Sequence, residues 1–292
     1  MQLESLKMFC DLAETQSFTK SAQLNEVTQS AVSQQLSSIE RRFQSLLVER
    51  SKKKCRLTTE GRAVYDSSKQ ILRAYEELQN KLAGLQDQVS GSIRVAVIYT
   101  FGLHDLPPFL KKYLQRYPTV NVHVEYLHAK QIYEDVLSNV VDLGLVAYPQ
   151  RSPRLTVVPL GKDKLVLICA PEHPMAKAGS VKLRDLSDQK FIAFAPGAPL
   201  RKAIDDILRD HHVQPRSAME FDNIETLKRA VEIDAGVAIV PESTVEQEVA
   251  AKTLARVGIA NGTFYRPLAV IHRKDKALTP AMKEFVAVLK GS

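Results

Sequence analysis

Residues 17–43 read SFTKSAQLNEVTQSAVSQQLSSIERRF, and this segment predicts two helices that are joined by a three-residue turn. Ser17 and Thr28 suit the N-cap position of each helix, because a hydroxyl oxygen accepts a hydrogen bond from a free amide of the first turn. The second helix is predicted over residues 29–43 and has its apolar residues on one face. Its opposite face begins with glutamine and serine, which suit the major groove because they can bond to base edges and phosphates.

A helix before this pair and a basic ribbon after it complete the predicted unit. Apolar residues recur at helical spacing over residues 3–13, which predicts a first helix with a buried face. Residues 47–50 and 55–58 read as two short strands around a lysine-rich tip, 51–54. Three helices followed by such a wing predict a winged helix-turn-helix over residues 1–58.

Positive charge is concentrated in and beside this unit. Between residues 41 and 62, eight basic residues oppose two acidic ones, whereas the whole chain has a net charge of +7. Such a cluster is typical of a surface that binds a polyanion, although a solvated basic loop is the alternative. From helix and wing together we predict these DNA-binding residues: Ser17, Thr28, Gln29, Ser30, Ser33, Gln34, Arg50, Lys52, Lys53 and Lys54.

This N-terminal segment resembles the signature of LysR-type transcriptional regulators. The matching positions are Phe9, Glu14, Ser17, Phe18, Ala22, Leu24, Gln29, Ser30, Ala31, Val32, Ser33, Ile39, Glu40, Glu49, Arg50, Leu57, Thr58 and Gly61. Chain length and the later organisation extend the resemblance over the whole chain. Two positions depart from the family pattern, because Gln44 replaces a usual glycine and Val48 a usual phenylalanine. The turn between the second helix of the pair and the wing is therefore where we expect any difference in conformation from the family.

Residues 59–89 predict a long linker helix with a heptad repeat. Two apolar series run seven residues apart and are offset by four, which is the a/d pattern of a coiled coil. A helix of 31 residues would be about 46 Å long, and its stripe needs a partner helix, most simply from a second copy. A helix packed on its own chain is the alternative. The predicted dimerisation residues are Val64, Ile71, Tyr75, Leu78, Leu82 and Leu85.

Strands and helices alternate from residue 90 onward. Strands are predicted at 92–98, 121–127, 142–147, 165–170, 191–195, 237–240 and 267–272, and helices at 102–117, 130–139, 200–211, 224–234 and 280–289. The βαβαβ order predicts a parallel sheet with right-handed crossovers. Two such lobes, 90–161 with 267–292 and 162–266, resemble a type 2 periplasmic-binding-protein fold, as the family resemblance also implies. The predicted fold class is α/β, with an all-α winged helix-turn-helix and a linker helix before this two-lobed effector domain over residues 90–292.

A ligand site is predicted where the strands of both lobes end, because open α/β sheets bind ligands at their carboxyl edges. Free amides at 197–200 would hold a carboxylate. The loop after the first strand contains Ile98, Tyr99 and Phe101, and this apolar character favours a small organic acid over an inorganic anion as the ligand. Thr100 also matches a position that the resembling family uses for effectors, and Arg201 resembles an arginine of a common family loop. His128 is the sharpest single candidate for an effector contact, and the alternative is that it is a loop histidine that binds no ligand. The predicted effector-binding residues are Tyr99, Thr100, Leu127, His128, Ala147, Pro196, Gly197, Ala198, Pro199 and Asn223.

Other classes of protein fit the sequence less well. Hydrophobic residues make up 45% of the chain and charged residues 25%, which excludes global disorder, and no apolar run is long enough for a membrane span. Three cysteines without CxxC spacing, scattered histidines and the lack of Walker, GxSxG and HExxH motifs predict no metal, cofactor or catalytic residues. A start without a cleavable leader predicts a cytoplasmic protein.

The sequence therefore predicts a DNA-binding transcription regulator that responds to a small-molecule effector. Its expected partners are double-stranded DNA, the effector and a second copy, with a homotetramer and RNA polymerase implied by the family resemblance. A solute-binding protein without DNA function and an enzyme on the same lobes are the two alternatives.

Overall fold

The computed structural model describes residues 2–50, 55–84 and 89–291. The chain divides into two compact units, Met1–Gln86 and Asp87–Ser292. Each unit has its own apolar core, and within the described residues no helix is both long and apolar enough to cross a membrane.

The N-terminal unit is a winged helix-turn-helix followed by a long helix. Its elements are α1 (Leu3–Thr15), α2 (Phe18–Leu24), α3 (Gln29–Phe43), β1 (Val48–Arg50), β2 (Cys55–Leu57) and α4 (Thr59–Gly84). The predicted caps are confirmed, because Ser17 Oγ accepts from the Lys20 amide and Thr28 Oγ1 from the Ala31 amide. β1 and β2 pair antiparallel. Residues 51–54, which were predicted as the tip of the wing, lie outside the described residues.

Gln44 ends α3 in the left-handed conformation, with φ 50°. This is the conformation that favours glycine, and the Gln44 amide still donates to the carbonyls of Glu40 and Arg41 as a C-cap does. The Glu40 carboxylate then accepts from the amides of Leu47 and Val48 at 3.0 and 3.4 Å. Glutamine therefore adopts the glycine-type turn, and Glu40 ties the start of the wing to α3.

Gly61 allows α4 to begin directly against the wing. Thr58 Oγ1 accepts from the Gly61 amide at 2.9 Å and donates to the Leu46 carbonyl at 2.7 Å. A Cβ atom on Gly61 would lie 1.9 Å from the Leu47 carbonyl oxygen, which is far inside van der Waals contact. Only glycine therefore fits here without a backbone shift.

The C-terminal unit contains two α/β lobes. Its first elements are β3 (Gly91–Val97), α5 (Tyr99–His104), α6 (Leu106–Arg116), β4 (Val120–Tyr126), α7 (Ala129–Leu137), β5 (Leu143–Ala147) and β6 (Leu155–Cys169). These are followed by β7 (Ser180–Val181), β8 (Lys190–Phe194), α8 (Pro199–Asp210), β9 (Arg216–Phe221), α9 (Ile224–Glu232), β10 (Ala238–Pro241), α10 (Glu246–Ala251), β11 (Ala255–Ile259), β12 (Tyr265–Arg273) and α11 (Pro280–Leu289).

Strand β6 belongs to both lobes. Its first half pairs antiparallel with β12, which borders the parallel strands β5, β3 and β4 of the first lobe. Its second half pairs with β10 and β11 of the second lobe, where β8 and β9 pair in parallel. The predicted two-lobed α/β fold is confirmed, and the lobes meet where β6 and the approach to β12 cross between them.

Several predicted elements are wrong in detail. The helix predicted over 102–117 is two helices, because Pro107 and Pro108 fit only a first helical turn and force a new start at Leu106. The strand predicted at 165–170 is the second half of the longer β6. The linker helix does not extend over the whole predicted range 59–89, because Val89 is not helical; residues 85–88 lie outside the described residues.

Replacing Gly61 with alanine is expected to destabilise the N-terminal unit by about 2 kcal/mol, the typical cost of overpacking a site that cannot relax. Urea unfolding followed by circular dichroism measures the change. Gly258→Ala is the matched control, because the nearest atom to its added Cβ lies 3.4 Å away. Equal stability of the Gly61 variant and the wild type would contradict the close approach to Leu47.

Candidate functional site

Helix α3 presents a polar surface at its N-terminal end. Its apolar residues Val32, Leu36 and Ile39 are buried in the core of the unit. On the opposite side the predicted DNA-binding residues Thr28, Gln29, Ser30 and Gln34 are exposed, while Ser33 and the α2 cap Ser17 are half-buried. The structure therefore brings these six predicted residues to the start of α2 and α3.

The predicted wing contacts are only partly described. The backbone of Arg50 lies in β1, but its side chain is outside the described part of the chain. Lys52, Lys53 and Lys54 also fall outside the described residues. Arg41 and Arg42 are exposed in the last turn of α3 and add basic charge shortly before β1 along the chain.

Helix α4 is fastened to α1 by a polar cluster that the sequence did not reveal. Glu14 Oε1 accepts from the Tyr65 hydroxyl at 2.8 Å and from Lys69 Nζ at 2.7 Å. Burial raises the pKa of Glu14, but the two hydrogen bonds outweigh that effect and hold it below its usual value. The cluster therefore fixes the direction in which α4 leaves the winged helix-turn-helix.

The predicted dimerisation stripe on α4 divides into two parts. Val64 packs against the core of its own unit, and Ser68 on the same part of the helix is buried. Farther along the helix four residues of the stripe are exposed: Ile71 by 46%, Tyr75 by 43%, Leu78 by 52% and Leu82 by 55%. Leu85 lies outside the described residues. The first part of α4 is thus covered by its own chain, whereas the second presents an apolar stripe.

In the first lobe, the predicted effector residues lie at the ends of three strands. Thr100 Oγ1 accepts a hydrogen bond from Arg266 Nη1 at 2.7 Å. The exposed ring of Tyr99 lies 6.0 Å from the ring of His128, which is the N-cap of α7. Leu127 is half-buried, and Ala147 is buried at the end of β5.

In the second lobe, two predicted loops start helices. Pro196 and Gly197 are exposed, and Ala198 and Pro199 begin α8 without a side-chain cap. Asn223 Oδ1 caps α9 by accepting from the Glu225 amide at 2.7 Å. These loops present amides at helix N-termini, which favour a negatively charged group.

Arg201 is held by acceptors of its own lobe. Its Nε donates to both carboxylate oxygens of Asp205, and its Nη1 donates to Glu220 and to the Phe194 carbonyl. These bonds fasten α8 to β8 and β9, and they occupy the arginine that resembles one of a common family loop.

Arg266 is not among the predicted effector-binding residues, and it is fully buried where the lobes meet. Its Nη2 donates to Asp105 at 3.2 Å and to Asp163 at 2.9 Å. Asp163 also accepts from the Ser243 hydroxyl at 2.6 Å. The cluster joins the α5–α6 segment, β6, β12 and the 3₁₀ helix Glu242–Val245. An arginine just before the apolar run of β12 was the one signal in the sequence that pointed to it.

A second buried cation lies close by. Lys228 Nζ on α9 is 3.0 Å from Glu225, 2.8 Å from Glu248 and 3.0 Å from the Thr244 carbonyl. His104 Nε2, at the end of α5, lies 2.9 Å from the same Glu225 carboxylate. This chain of contacts connects the first lobe to α9 next to the Asn223 loop.

Comparisons with known proteins agree with this arrangement. Residues 3–62 match the family described as "Bacterial regulatory helix-turn-helix protein, lysR family", and residues 86–292 match the "LysR substrate binding domain". A probable RuBisCO transcriptional regulator of Thalassiosira pseudonana is 30% identical over 291 residues, which cover 97% of this chain and 95% of the relative.

Two solved structures share the fold. Full-length CbnR complexed with its target DNA has a TM-score of 0.76 and 23% identity, and the match covers 100% of this chain and 99% of that chain. The regulatory domain of Synechocystis PCC6803 CcmR in complex with 2-PG has a TM-score of 0.63 and 26% identity. That match covers 68% of this chain and 96% of the domain.

The pKa of Asp105 predicts a pH dependence of stability. Burial raises this pKa above its usual 3.8, against the opposing effects of Arg266 and Ser243. The folded chain therefore binds the proton more tightly, and the stability that this group contributes is lost as pH rises from about 3.8 through the raised pKa.

We expect Asp105→Asn to flatten this part of the pH profile, as measured by calorimetric melting temperatures from pH 4 to 7. The exposed Asp188→Asn is the control and should retain the wild-type slope. An Asp105 variant with the full wild-type slope would show that another group carries it.

Proposed function

The chain belongs to the LysR family of bacterial transcriptional regulators, and from this premise we propose how its two units share the regulation. The N-terminal unit reads promoter DNA, and the C-terminal unit binds a small organic acid between its lobes. The single observation that carries this proposal is the exposed polar start of α3 opposite its buried apolar face.

We propose that α3 lies in the major groove. Gln29 and Gln34 present amide groups that match the donor and acceptor edge of adenine, and Ser30 and Ser33 can bond to bases or phosphates. Ser17 and Thr28 sit at helix N-termini, whose amides favour phosphate contacts. The basic side chains of the wing would contact DNA phosphates beside α3; they are Arg50, Lys52, Lys53 and Lys54. Each phosphate that they neutralise would make the DNA affinity fall more steeply with salt concentration.

The proposed effector site lies between the lobes of the C-terminal unit. The effector's carboxylate would bind free backbone amides within residues 197–200, at the start of α8. Pro196, Gly197, Ala198 and Pro199 form this loop, and Tyr99, Thr100, Leu127, His128, Ala147 and Asn223 would surround the rest of the molecule. The CcmR domain was solved with 2-PG, which supports a small ligand in this fold. Because β6 and β12 connect the lobes, ligand binding would change how they close.

The proposed division of the chain is 1–58 for DNA binding, 59–89 for dimerisation and 90–292 for the effector. The exposed stripe on α4 favours a parallel or antiparallel pairing with a second copy, which would present two α3 helices to one operator. Assembly into a tetramer and contact with RNA polymerase extend this proposal. We further propose a cytoplasmic regulator without catalytic activity.

Gln34→Ala is expected to weaken binding to the cognate promoter by about tenfold, since one lost bidentate base contact removes roughly 1–3 kcal/mol of discrimination. Binding to random duplex should change little, because phosphate contacts remain. Fluorescence anisotropy with both duplexes at one salt concentration measures the ratio. Gln79→Ala, on the exposed surface of α4, is the control. If the Gln34 variant loses affinity equally for both duplexes, α3 does not read bases.

Leu78→Arg is expected to separate the dimer, because a charge in the α4 stripe would face an apolar partner helix. Light scattering of the full chain should show a lower mass for this variant. Gln79→Arg places the same charge beside the stripe and should leave the mass unchanged. A Leu78 variant with the wild-type mass would rule out pairing through α4.

A further inference from the structure

Two buried hydrogen-bond donors at the lobe junction have no acceptor within the described chain. They are the Nε–H group of Arg266 and the hydroxyl of Tyr148. The Tyr148 amide donates to the Pro267 carbonyl at 2.9 Å, so Tyr148 lies beside the residue that follows Arg266. A buried donor without an acceptor costs free energy, and such groups in native proteins call for an explanation.

The backbone of Tyr148 is held in a conformation that is rare for an aromatic residue. Its φ is 50°, in the left-handed region that favours glycine. Such conformations persist where the surrounding structure holds them, and they cluster at ligand sites. Tyr148 follows Ala147, which is itself one of the proposed effector residues.

The charges around Arg266 determine which ligand group fits these donors. The carboxylates of Asp105 and Asp163 both accept from Nη2, so two anions already face one guanidinium. A ligand carboxylate would be a third anion in a buried site and would be repelled. A hydroxyl or carbonyl oxygen accepts hydrogen bonds without adding charge.

We propose that Arg266 and Tyr148 form a subsite for an uncharged oxygen of the effector. The Nε–H group and the Tyr148 hydroxyl donate to this oxygen, and Thr100, which accepts from Nη1, has its hydroxyl proton available as a further donor. The inference rests on the proposed function, which places the effector's carboxylate at the α8 amides. The effector is then a carboxylic acid that carries a hydroxyl or carbonyl group.

The test uses the full chain and pairs of acids that differ by one hydroxyl: lactate with propionate, malate with succinate, and 3-hydroxybenzoate with benzoate. Isothermal titration calorimetry gives the affinity ratio within each pair. For at least one pair we expect the wild type to bind the hydroxylated acid about tenfold more tightly, which corresponds to a pair of gained hydrogen bonds. Tyr148→Phe should reduce this ratio to about threefold or less.

Two further variants define the role of each donor. Arg266→Lys keeps the charge but removes Nε, and it should also lower the ratio if a melting scan shows it folded. Tyr117→Phe is the matched control, because that hydroxyl already donates to Glu284 at 2.6 Å. The control should retain the wild-type ratio. Tyr148→Phe alone decides the question if the arginine variant does not fold.

Several results would overturn the subsite. A wild-type ratio near one in every pair, or an unchanged ratio in Tyr148→Phe, would show that the donors serve water or structure only. Binding of none of the acids, with promoter binding intact, would exclude the ligand class while leaving the DNA function standing. If the wild-type protein does not bind promoter DNA at all, the proposed function itself is wrong.

Discussion

A fully buried charge is stable only beside its counter-ions, and Arg266 meets this constraint by drawing both lobes together. Its acceptors lie on the α5–α6 segment of the first lobe and on β6, while Ser243 adds a contact from the second lobe. The lobes therefore share one paired cluster where the chain crosses between them. We propose that a ligand which changes these pairings also changes lobe closure.

The N-terminal unit depends on a comparable division between buried and exposed faces. Core packing of Val32, Leu36 and Ile39 fixes the rotation of α3, and this rotation turns the polar residues at its start outward. Gly61 and Glu40 hold the wing and α4 close to this helix. The Glu14 cluster sets the exit direction of α4, so the exposed stripe and the α3 surface are in a fixed relation.

The two buried cations differ in what they leave for a ligand. Lys228 has two carboxylates and a carbonyl around its three protons, so its donors are satisfied. Arg266 has five N–H groups, and Nε stays without an acceptor. At the junction, two carboxylates thus face the single positive charge of Arg266, yet one of its N–H groups has no acceptor within the described residues. This difference favours recognition of an uncharged oxygen there and of a carboxylate at the helix N-termini.

Local signals in the sequence determined the helices of the N-terminal unit, both N-caps, the two-lobed α/β organisation and the family. Capping, periodicity and proline positions act over a few residues, so they can be read without a structure. Tertiary structure alone decided the Arg266 cluster, whose partners Thr100, Asp105 and Asp163 lie 166, 161 and 103 residues away along the chain. It also decided the hydrogen bonds of Arg201 within its own lobe and the packing of Val64 against its own unit. Such pairings follow from packing between distant segments, for which no spacing rule exists in one sequence.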